Sequence, residues 1–267
     1  MSPRAALVAA PRRLWRAGAF DPGERTLPEE VPIALVHDAT ATAVMMATPT
    51  DLQDFAYGFS LTEGLIETPG QARGFETVES EAGIELRLWL DAPRSATLAA
   101  RRRRIAGPTG CGLCGIDSLG EALRPPRRVA EGGAISAAQI AKALEQLAAR
   151  QSLGVATRAV HAAGFWTAQN GVSLVREDVG RHNALDKLAG ALALAGVHAA
   201  AGAVVLTSRV SIEMVQKTAA IGAPILIAVS APTALAVRTA EEAGVTLVAV
   251  ARADGFEVFT RPERVID

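Results

Sequence analysis

The chain has 267 residues, of which 49% are hydrophobic, so it can bury the core of one large or two modest globular domains. Its net charge of −1 argues against general nucleic-acid binding, and its two cysteines cannot form a disulfide framework. Free and closely spaced thiols are typical of a reducing compartment, so we expect a cytoplasmic protein. The N-terminal apolar run at residues 5–10 is too short for the core of a signal peptide.

Residues 1–93 predict a small α+β unit. The spacing of Leu52, Phe55 and Phe59 indicates a helix over residues 51–64, which Gly64 would end. Strand-like runs lie around it at residues 31–37, 42–48, 75–78 and 84–90.

Residues 94–133 are rich in Arg, Gly and Pro, which predicts an exposed connector. Both cysteines lie there, in the sequence Gly110-Cys111-Gly112-Leu113-Cys114-Gly115. Between residues 94 and 128 there are eight Arg and two acidic residues, a local balance of +6. Cationic surroundings favour the thiolate, which is the nucleophilic form of cysteine, and the glycines favour backbone mobility. The connector is therefore predicted to hold a sulfur-handling loop that meets an anionic partner, while the Arg run at 101–104 either assists it or is a solvated helix end.

Residues 134–267 predict an α/β layered domain. A helix is indicated over residues 136–149, and apolar strands at 159–166, 172–175, 203–206, 225–229 and 246–250 alternate with helices further along. The stretch 188–206 is apolar enough to suggest a membrane span, but its Ala and Gly content and His198 favour a buried helix followed by a buried strand. No membrane association is expected. Polar segments follow the strands at 176–183, 207–211 and 230–233, where the starts of helices bind anions.

Several blocks of sequence, taken in order, resemble those of one known family. They are Met45-Met46-Ala47-Thr48-Pro49, Gly58-Phe59-Ser60-Leu61-Thr62-Glu63-Gly64, the cysteine loop, His161-Ala162-Ala163, Arg176-Glu177-Asp178-Val179-Gly180-Arg181-His182-Asn183-Ala184-Leu185-Asp186-Lys187, and Ser208-Arg209 with Glu213-Met214-Val215-Gln216-Lys217. Over most of its length the chain resembles the FdhD family, the formate dehydrogenase accessory sulfurtransferases.

This resemblance implies a sulfur carrier that works by persulfide relay. Cys111 would accept sulfane sulfur from a cysteine desulfurase and transfer it to the molybdenum cofactor, bis(molybdopterin guanine dinucleotide), before the cofactor enters the formate dehydrogenase catalytic subunit. Cys114 would resolve the persulfide or assist release. The resemblance also implies a homodimer and a cytidine-deaminase-like fold for the C-terminal domain.

The resemblance further implies that a segment near the C-terminus binds the guanine dinucleotide. Its residues are Val250, Ala251, Arg252, Ala253, Asp254 and Gly255. The family usually has an aromatic residue at the position of Val250, whereas Arg252 keeps a cation suited to phosphate. An ordinary final strand and turn is the alternative. Arg181 and His182, at a predicted helix start, suit phosphate or base recognition, while His37 and His198 are predicted to be structural.

Other functions fit parts of the pattern. A C-x-x-C pair is also half of a zinc site, to which His161 or His182 could add ligands. With only one Cys pair, a monomer would need two histidines or a second chain, and we predict no metal. Thioredoxin-like exchange is disfavoured because the cysteines do not open a helix after a strand. A zinc deaminase needs H-x-E followed by P-C-x-x-C, but Ala163 stands where the Glu would be. A non-catalytic chaperone of the cofactor, with incidental cysteines, remains the alternative.

Overall fold

A computed structural model describes residues 4–105, 124–131 and 133–267. Both cysteines lie outside the described residues. The chain begins with an antiparallel hairpin of β1 (Leu7–Arg16) and β2 (Ala19–Pro28), which the sequence analysis did not predict. Its turn residues Ala17 and Gly18 both have positive φ, as a two-residue hairpin turn requires.

The N-terminal unit is a four-stranded sheet covered by one helix. Its elements are β3 (Val31–His37), β4 (Thr40–Ala47), α1 (Leu52–Thr62), β5 (Ala72–Ser80) and β6 (Gly83–Leu90), with strand order β4-β3-β6-β5. Ile33, Leu35 and Leu86 on the sheet pack against Phe55 of α1, and all four side chains are buried. The predicted helix and strands are confirmed, with bounds that shift by a few residues.

A second helix, α2 (Ala92–Ile105), replaces the first part of the predicted connector. Leu98 is 5% exposed in the core of the N-terminal unit, and Arg94 forms an ion pair with Glu67 at 2.6 Å. The predicted connector therefore begins with a helix, and Leu98 of this helix packs on the N-terminal unit. Arg-rich segments occur both in solvated helices and in loops, so composition did not distinguish a helix from a loop here.

The C-terminal domain is built on a six-stranded sheet in the order β13-β12-β11-β10-β8-β9, in which β10, β11 and β12 are parallel. Its elements are β7 (Ile135–Ser136), α3 (Ala137–Ala149), α4 (Ser152–Thr157), β8 (His161–Thr167), β9 (Gly171–Asp178), α5 (Arg181–Leu194), β10 (Ala203–Leu206), α6 (Ile212–Ala220), β11 (Ile225–Ala228), α7 (Ala234–Ala243), β12 (Thr246–Arg252), β13 (Gly255–Val258) and β14 (Val265–Ile266). The short strands β7 and β14 pair with each other.

Helices cover both faces of this sheet. Buried side chains of α5, α6 and α7 pack on one face, and Ile140, Ala143 and Leu147 of α3 pack on the other. The predicted α/β layering is thus confirmed, and its likeness to cytidine deaminases stays a prediction. The predicted strand at 172–175 extends to Asp178, so the first residues of the motif 176–183 belong to a strand rather than a loop.

Within the stretch 188–206, residues 188–192 of α5 and the strand β10 are buried, as predicted, whereas residues 194–198 between them are exposed. Among the described residues, no helix combines the length and apolar character that a bilayer crossing needs. His37 is structural, as predicted: its side chain is 1% exposed, and its ring nitrogens lie 2.9 Å from Thr42 Oγ1 and 2.7 Å from Ser60 Oγ.

The two units meet where α1 crosses α5. A Cβ atom on Gly58 would collide with the carbonyl oxygen of Asp186, and one on Gly190 would collide with the carbonyl oxygen of Asp54. Glycine at both positions therefore lets the two backbones come into contact. This crossing fixes α1 between the four-stranded sheet and the helices of the C-terminal domain.

Candidate functional site

The polar segments of the C-terminal domain gather at one edge of the six-stranded sheet. The parallel strands β10, β11 and β12 all end there, and their loops are joined by hydrogen bonds from Val210 N to Ala231 O and from Val250 N to Ser230 O, both 3.2 Å. Because β8 runs antiparallel to β10, its first residue, His161, lies at the same edge. The end of β9 and the start of α5 follow beside it. Ligands of α/β sheets commonly bind at such an edge.

The start of α5 presents polar groups that the protein itself does not use. Its N-cap is Gly180, which supplies no side-chain cap, and its first turn holds no acidic residue. Arg181 Nε and His182 Nε2 are both buried, and neither has a hydrogen-bond partner among the described residues. Free helix N–H groups, a guanidinium and an imidazole together favour an anionic ligand.

His182 is an uncharged imidazole at neutral pH. Burial, Arg181 and Lys217, in that order, lower its pKa to about 4. Burial alone would raise the pKa of the nearby Glu213, but the neighbouring Ser211 hydroxyl and the backbone outweigh that effect and lower it. The pKa of His161, the first residue of β8, is also lowered by burial and by Arg181.

A buried lysine lies next to this group and joins the two units. Lys217 Nζ of α6 lies 2.9 Å from Asp186 Oδ1, 2.7 Å from Glu63 Oε1 and 3.0 Å from Thr62 Oγ1. Burial alone would lower the pKa of Lys217, but Asp186 and Glu63 outweigh it and raise the pKa. Sequence reasoning did not assign this lysine a role, although it lies in one of the family-like blocks.

A second buried ion pair, between Lys187 and Asp178, gives a structural role to two of the family-like sequence segments, residues 45–49 and 176–187. Lys187 Nζ lies 2.7 Å from Asp178 Oδ2 and donates to Thr48 O at 2.9 Å. Thr48 N in turn donates to Asp178 Oδ2 at 3.0 Å, and Asn183 Nδ2 donates to Met46 O at 2.9 Å. These residues hold the end of β4 against α5, so Asp178, Asn183 and Lys187 have a structural role. In the same segment, Arg181 and His182 remain available to a ligand.

The C-terminal segment bends sharply at the same edge. Val250 has φ of 52°, a left-handed conformation that is unusual for a β-branched residue, inside a β-bulge between Ala249 and Arg252. Ala251 is buried, and the turn beyond it is exposed at four residues, Arg252, Ala253, Asp254 and Gly255. Backbone strain of this kind is commonly held at functional sites.

The structure brings some predicted site residues together and separates others. Arg181 and His182 lie just beyond the end of β9, whereas the segment 250–255 lies at the end of β12. These two strands are four strand spacings apart, which is about 19 Å. A ligand that touches both ends of the edge must therefore be elongated. The predicted catalytic residue, Cys111, lies outside the described residues.

A cleft of about 310 Å³ opens beside Lys217, between α1 and α6. Its lining includes Leu61, Thr62, Arg124, Pro125, Gln216 and Ala220. Gln216 Nε2 donates to the carbonyl oxygen of Arg124 at 2.9 Å. Arg124 is the first described residue after the segment that carries both cysteines, so the chain returns from that segment directly beside the site.

The fold and the site define an α/β protein with a polar sheet edge at which two buried side-chain nitrogens lack a partner among the described residues. In the range 28–266 the chain matches the model of the FdhD/NarQ family. It is 50% identical over 256 residues to the sulfur carrier protein FdhD of Agrobacterium fabrum, with 96% of this chain and 94% of that protein aligned. It is also 50% identical over 251 residues to the sulfur carrier protein FdhD of Cupriavidus necator, covering 94% and 87% of the two chains.

A solved structure supports the same assignment. A protein from Desulfotalea psychrophila, assigned as a formate dehydrogenase accessory protein, superposes with a TM-score of 0.76 at 25% sequence identity, over 98% of this chain and 100% of that one. The chain belongs to the FdhD/NarQ family, which confirms the resemblance found in the sequence.

Proposed function

We propose that this protein is a sulfur carrier that a formate dehydrogenase needs for activity. It accepts sulfur as a persulfide on Cys111 and passes it to the molybdenum cofactor, bis(molybdopterin guanine dinucleotide), which is the substrate of sulfuration. Its partners are a cysteine desulfurase and the formate dehydrogenase catalytic subunit. The relatives named sulfur carrier protein FdhD, at 50% identity over almost the whole chain, support this role. A persulfide relay suits the reducing cytoplasm.

The observation that carries the proposed cofactor site is the pair of unpartnered nitrogens, Arg181 Nε and His182 Nε2, at the start of α5. In this proposal they bind phosphate, and the strained segment at Val250, with Arg252 and Asp254 beyond it, binds the other end of the guanine dinucleotide. An elongated dinucleotide suits the separation of about 19 Å between the two ends of the edge.

The loading of Cys111 with sulfur needs only a thiolate and a donor persulfide. The Cys111 thiolate attacks the outer sulfur of the donor persulfide, a new S–S bond forms on Cys111, and the donor cysteine leaves as a thiolate, so no oxidant is consumed. The 13 residues from Cys111 to Arg124 span at most about 45 Å. Arg124, where the described chain resumes, is hydrogen-bonded to Gln216 of α6.

Intact-protein mass after incubation with a cysteine desulfurase and cysteine tests the sulfur step. We expect wild-type protein and Cys114→Ala to gain about 32 Da per sulfur atom, reversibly with a reductant, and Cys111→Ala to gain nothing. If no variant gains mass, the cofactor-chaperone alternative replaces this proposal. If only Cys114→Ala fails, Cys114 is the carrier.

Calorimetric titration with GDP, as the guanine and phosphate part of the cofactor, tests the site. Arg181→Ala should weaken GDP binding about 10- to 100-fold, because it removes a charged hydrogen bond to phosphate. Arg238→Ala, which changes an exposed arginine on α7, is the matched control and should bind as wild type does. Equal affinity in all three proteins would place the guanine nucleotide elsewhere.

A further inference from the structure

Thr48 belongs to the N-terminal unit, yet each of its three hydrogen-bonding groups contacts the C-terminal domain. It follows β4 directly and is 0% exposed. Its backbone N donates to Asp178 Oδ2 at 3.0 Å, and its carbonyl oxygen accepts from Lys187 Nζ at 2.9 Å. Its hydroxyl oxygen accepts from Val179 N at 3.2 Å. A single residue of the N-terminal unit is therefore bonded at three points to the segment 178–187.

The turn that leads into α5 is held at both of its N–H groups. Only two residues, Val179 and Gly180, separate the end of β9 from the start of α5. Thr48 Oγ1 accepts from the first of these N–H groups, and Asp178 Oδ1 accepts from Gly180 N at 2.8 Å. The direction in which the chain enters α5 is thereby fixed. The first N–H groups of α5 have no partner within the helix and point out of its N-terminal end.

Asp178 is a buried carboxylate with four donors, and it fixes the other side of this turn. Its Oδ1 accepts from Gly180 N and, at 2.9 Å, from Asn183 Nδ2, while its Oδ2 accepts from Thr48 N and pairs with Lys187 Nζ at 2.7 Å. A Cβ atom on Gly180 would lie 2.7 Å from Asn183 Nδ2, so glycine is what lets the amide reach the turn. With both oxygens fully used, the carboxylate has one well-defined position.

The fixed turn leads directly to the two residues with unpartnered nitrogens. Arg181 and His182 follow Gly180, and Arg181 Nε and His182 Nε2 lack a hydrogen-bond partner among the described residues. Their placement therefore depends on the backbone that precedes them. Hydrogen bonds to a phosphate oxygen form only over a narrow range of distance and angle, so a turn that shifts would lose them.

We propose that Thr48 is a positioning residue of the phosphate site. Its hydroxyl fixes the turn that directs the first N–H groups of α5, Arg181 and His182 at the ligand, so the N-terminal unit takes part in binding without touching the ligand. Such preorganisation raises affinity because less order has to be imposed when the ligand binds. The inference rests on the phosphate site proposed above and is independent of the sulfur chemistry.

Thr48→Val and Thr48→Ser test the hydroxyl in the full chain. Valine has the shape of threonine but cannot accept a hydrogen bond from Val179 N, whereas serine keeps the oxygen. In calorimetric titration with GDP, Thr48→Val should weaken binding roughly 10-fold or more, because the released turn no longer holds its donors in place. Thr48→Ser should bind as wild type does.

Thr260 provides a control that is matched in chemistry and burial. It is 2% exposed, and its Oγ1 accepts from Leu247 N at 2.9 Å near the start of β12, at the opposite edge of the sheet from the site. Thr260→Val deletes the same kind of hydrogen bond, so it should lower the urea midpoint about as much as Thr48→Val does. Its GDP affinity should equal that of wild type, which separates a loss of stability from a loss of positioning.

Amide hydrogen exchange without ligand gives a second readout. In Thr48→Val the amides of Val179 and Gly180 should exchange roughly 10-fold faster or more than in wild type, whereas Thr260→Val should leave their rates unchanged. If wild type does not bind GDP, the phosphate site itself is wrong, and the exchange rates still decide whether Thr48 fixes the turn.

Four results would overturn the positioning role. Thr48→Val could bind GDP as tightly as wild type, or its turn amides could exchange at wild-type rates. Equal losses of GDP affinity in Thr48→Val and Thr260→Val would mean that affinity follows stability alone. Equal losses in Thr48→Val and Thr48→Ser would show that keeping the hydroxyl oxygen does not preserve the site.

Discussion

The uncharged state of His182 ties the candidate site to the stability of the fold. Its pKa is about 4 in the folded protein, against about 6.5 in an unfolded chain. Between these values the unfolded state binds more protons, so stability falls as the pH drops from about 6.5 toward 4. The neutral imidazole keeps one ring N–H, so Nε2 can donate to a phosphate oxygen when that nitrogen carries the proton.

We predict that this histidine accounts for a measurable part of acid sensitivity. Between pH 6.5 and 4, wild type should lose up to about 3 kcal/mol more unfolding free energy than His182→Gln, as measured by urea denaturation at several pH values. His198→Gln, which changes an exposed histidine, should follow wild type. If the unfolding free energies of wild type and His182→Gln depend on pH in the same way, the folded protein does not lower the pKa of His182.

Lys217 is predicted to hold the two units together through charge. Lys217→Met leaves Asp186 buried without its cation, which should cost about 3 to 5 kcal/mol of unfolding free energy. Adding Asp186→Asn should restore part of that loss, and Lys142→Met, at an exposed lysine of α3, should change stability little. Urea denaturation measures all four proteins, and a loss below about 1 kcal/mol for Lys217→Met would mean that the pair does not hold the units together.

At the residue scale, the sequence located Arg181 and His182 at a helix start because a strand-like run and Gly180 precede them. It could not assign Lys217, because the partners Asp186 and Glu63 come from other helices and pairing across elements leaves no local pattern. Asp178 and Lys187 were indistinguishable from ligand-binding residues for the same reason, since only the fold shows that they bond to Thr48 and to each other.

At the scale of elements, the crossing of α1 and α5 depends on two glycines. Gly58→Ala should cost about 3 kcal/mol or more, because its methyl group would meet the backbone of α5 and the helices would have to separate. Gly70→Ala is the control: its added methyl group would meet only Thr68 Oγ1, at an ordinary contact distance of 4.0 Å, so it should stay within about 0.5 kcal/mol of wild type. Urea midpoints provide the measurement, and equal midpoints would refute the close approach.

The elements that the sequence predicted well have strong periodicity. Apolar strands such as β10 and β11 and the helix α1 were located within a few residues. The hairpin of β1 and β2 was missed because Pro11, Arg13, Pro22 and Glu24 interrupt its apolar alternation, and because it packs on little of its own chain. α2 was missed because its Arg-rich sequence looks the same in a solvated helix and in a loop.

For the molecule as a whole, we expect the two units to unfold together although each has its own hydrophobic core. The glycine crossing and both buried ion pairs tie the units to each other, so losing one exposes buried charges of the other. Trp89 lies in the N-terminal unit and Trp166 is 5% exposed in the C-terminal core. In single-tryptophan variants, the fluorescence of the two should report the same urea midpoint, and separated midpoints would show independent units.

The joint between α1 and α6 also has a consequence for synthesis of the chain. Thr62 bonds to Lys217, which lies 155 residues later, so this side of α1 is not fully covered until the chain has been made at least as far as α6. At about 5 to 20 residues per second this takes roughly 8 to 30 seconds. For most of that interval the nascent N-terminal unit exposes to solvent the face of α1 that carries Gly58, which in the folded protein packs on α5.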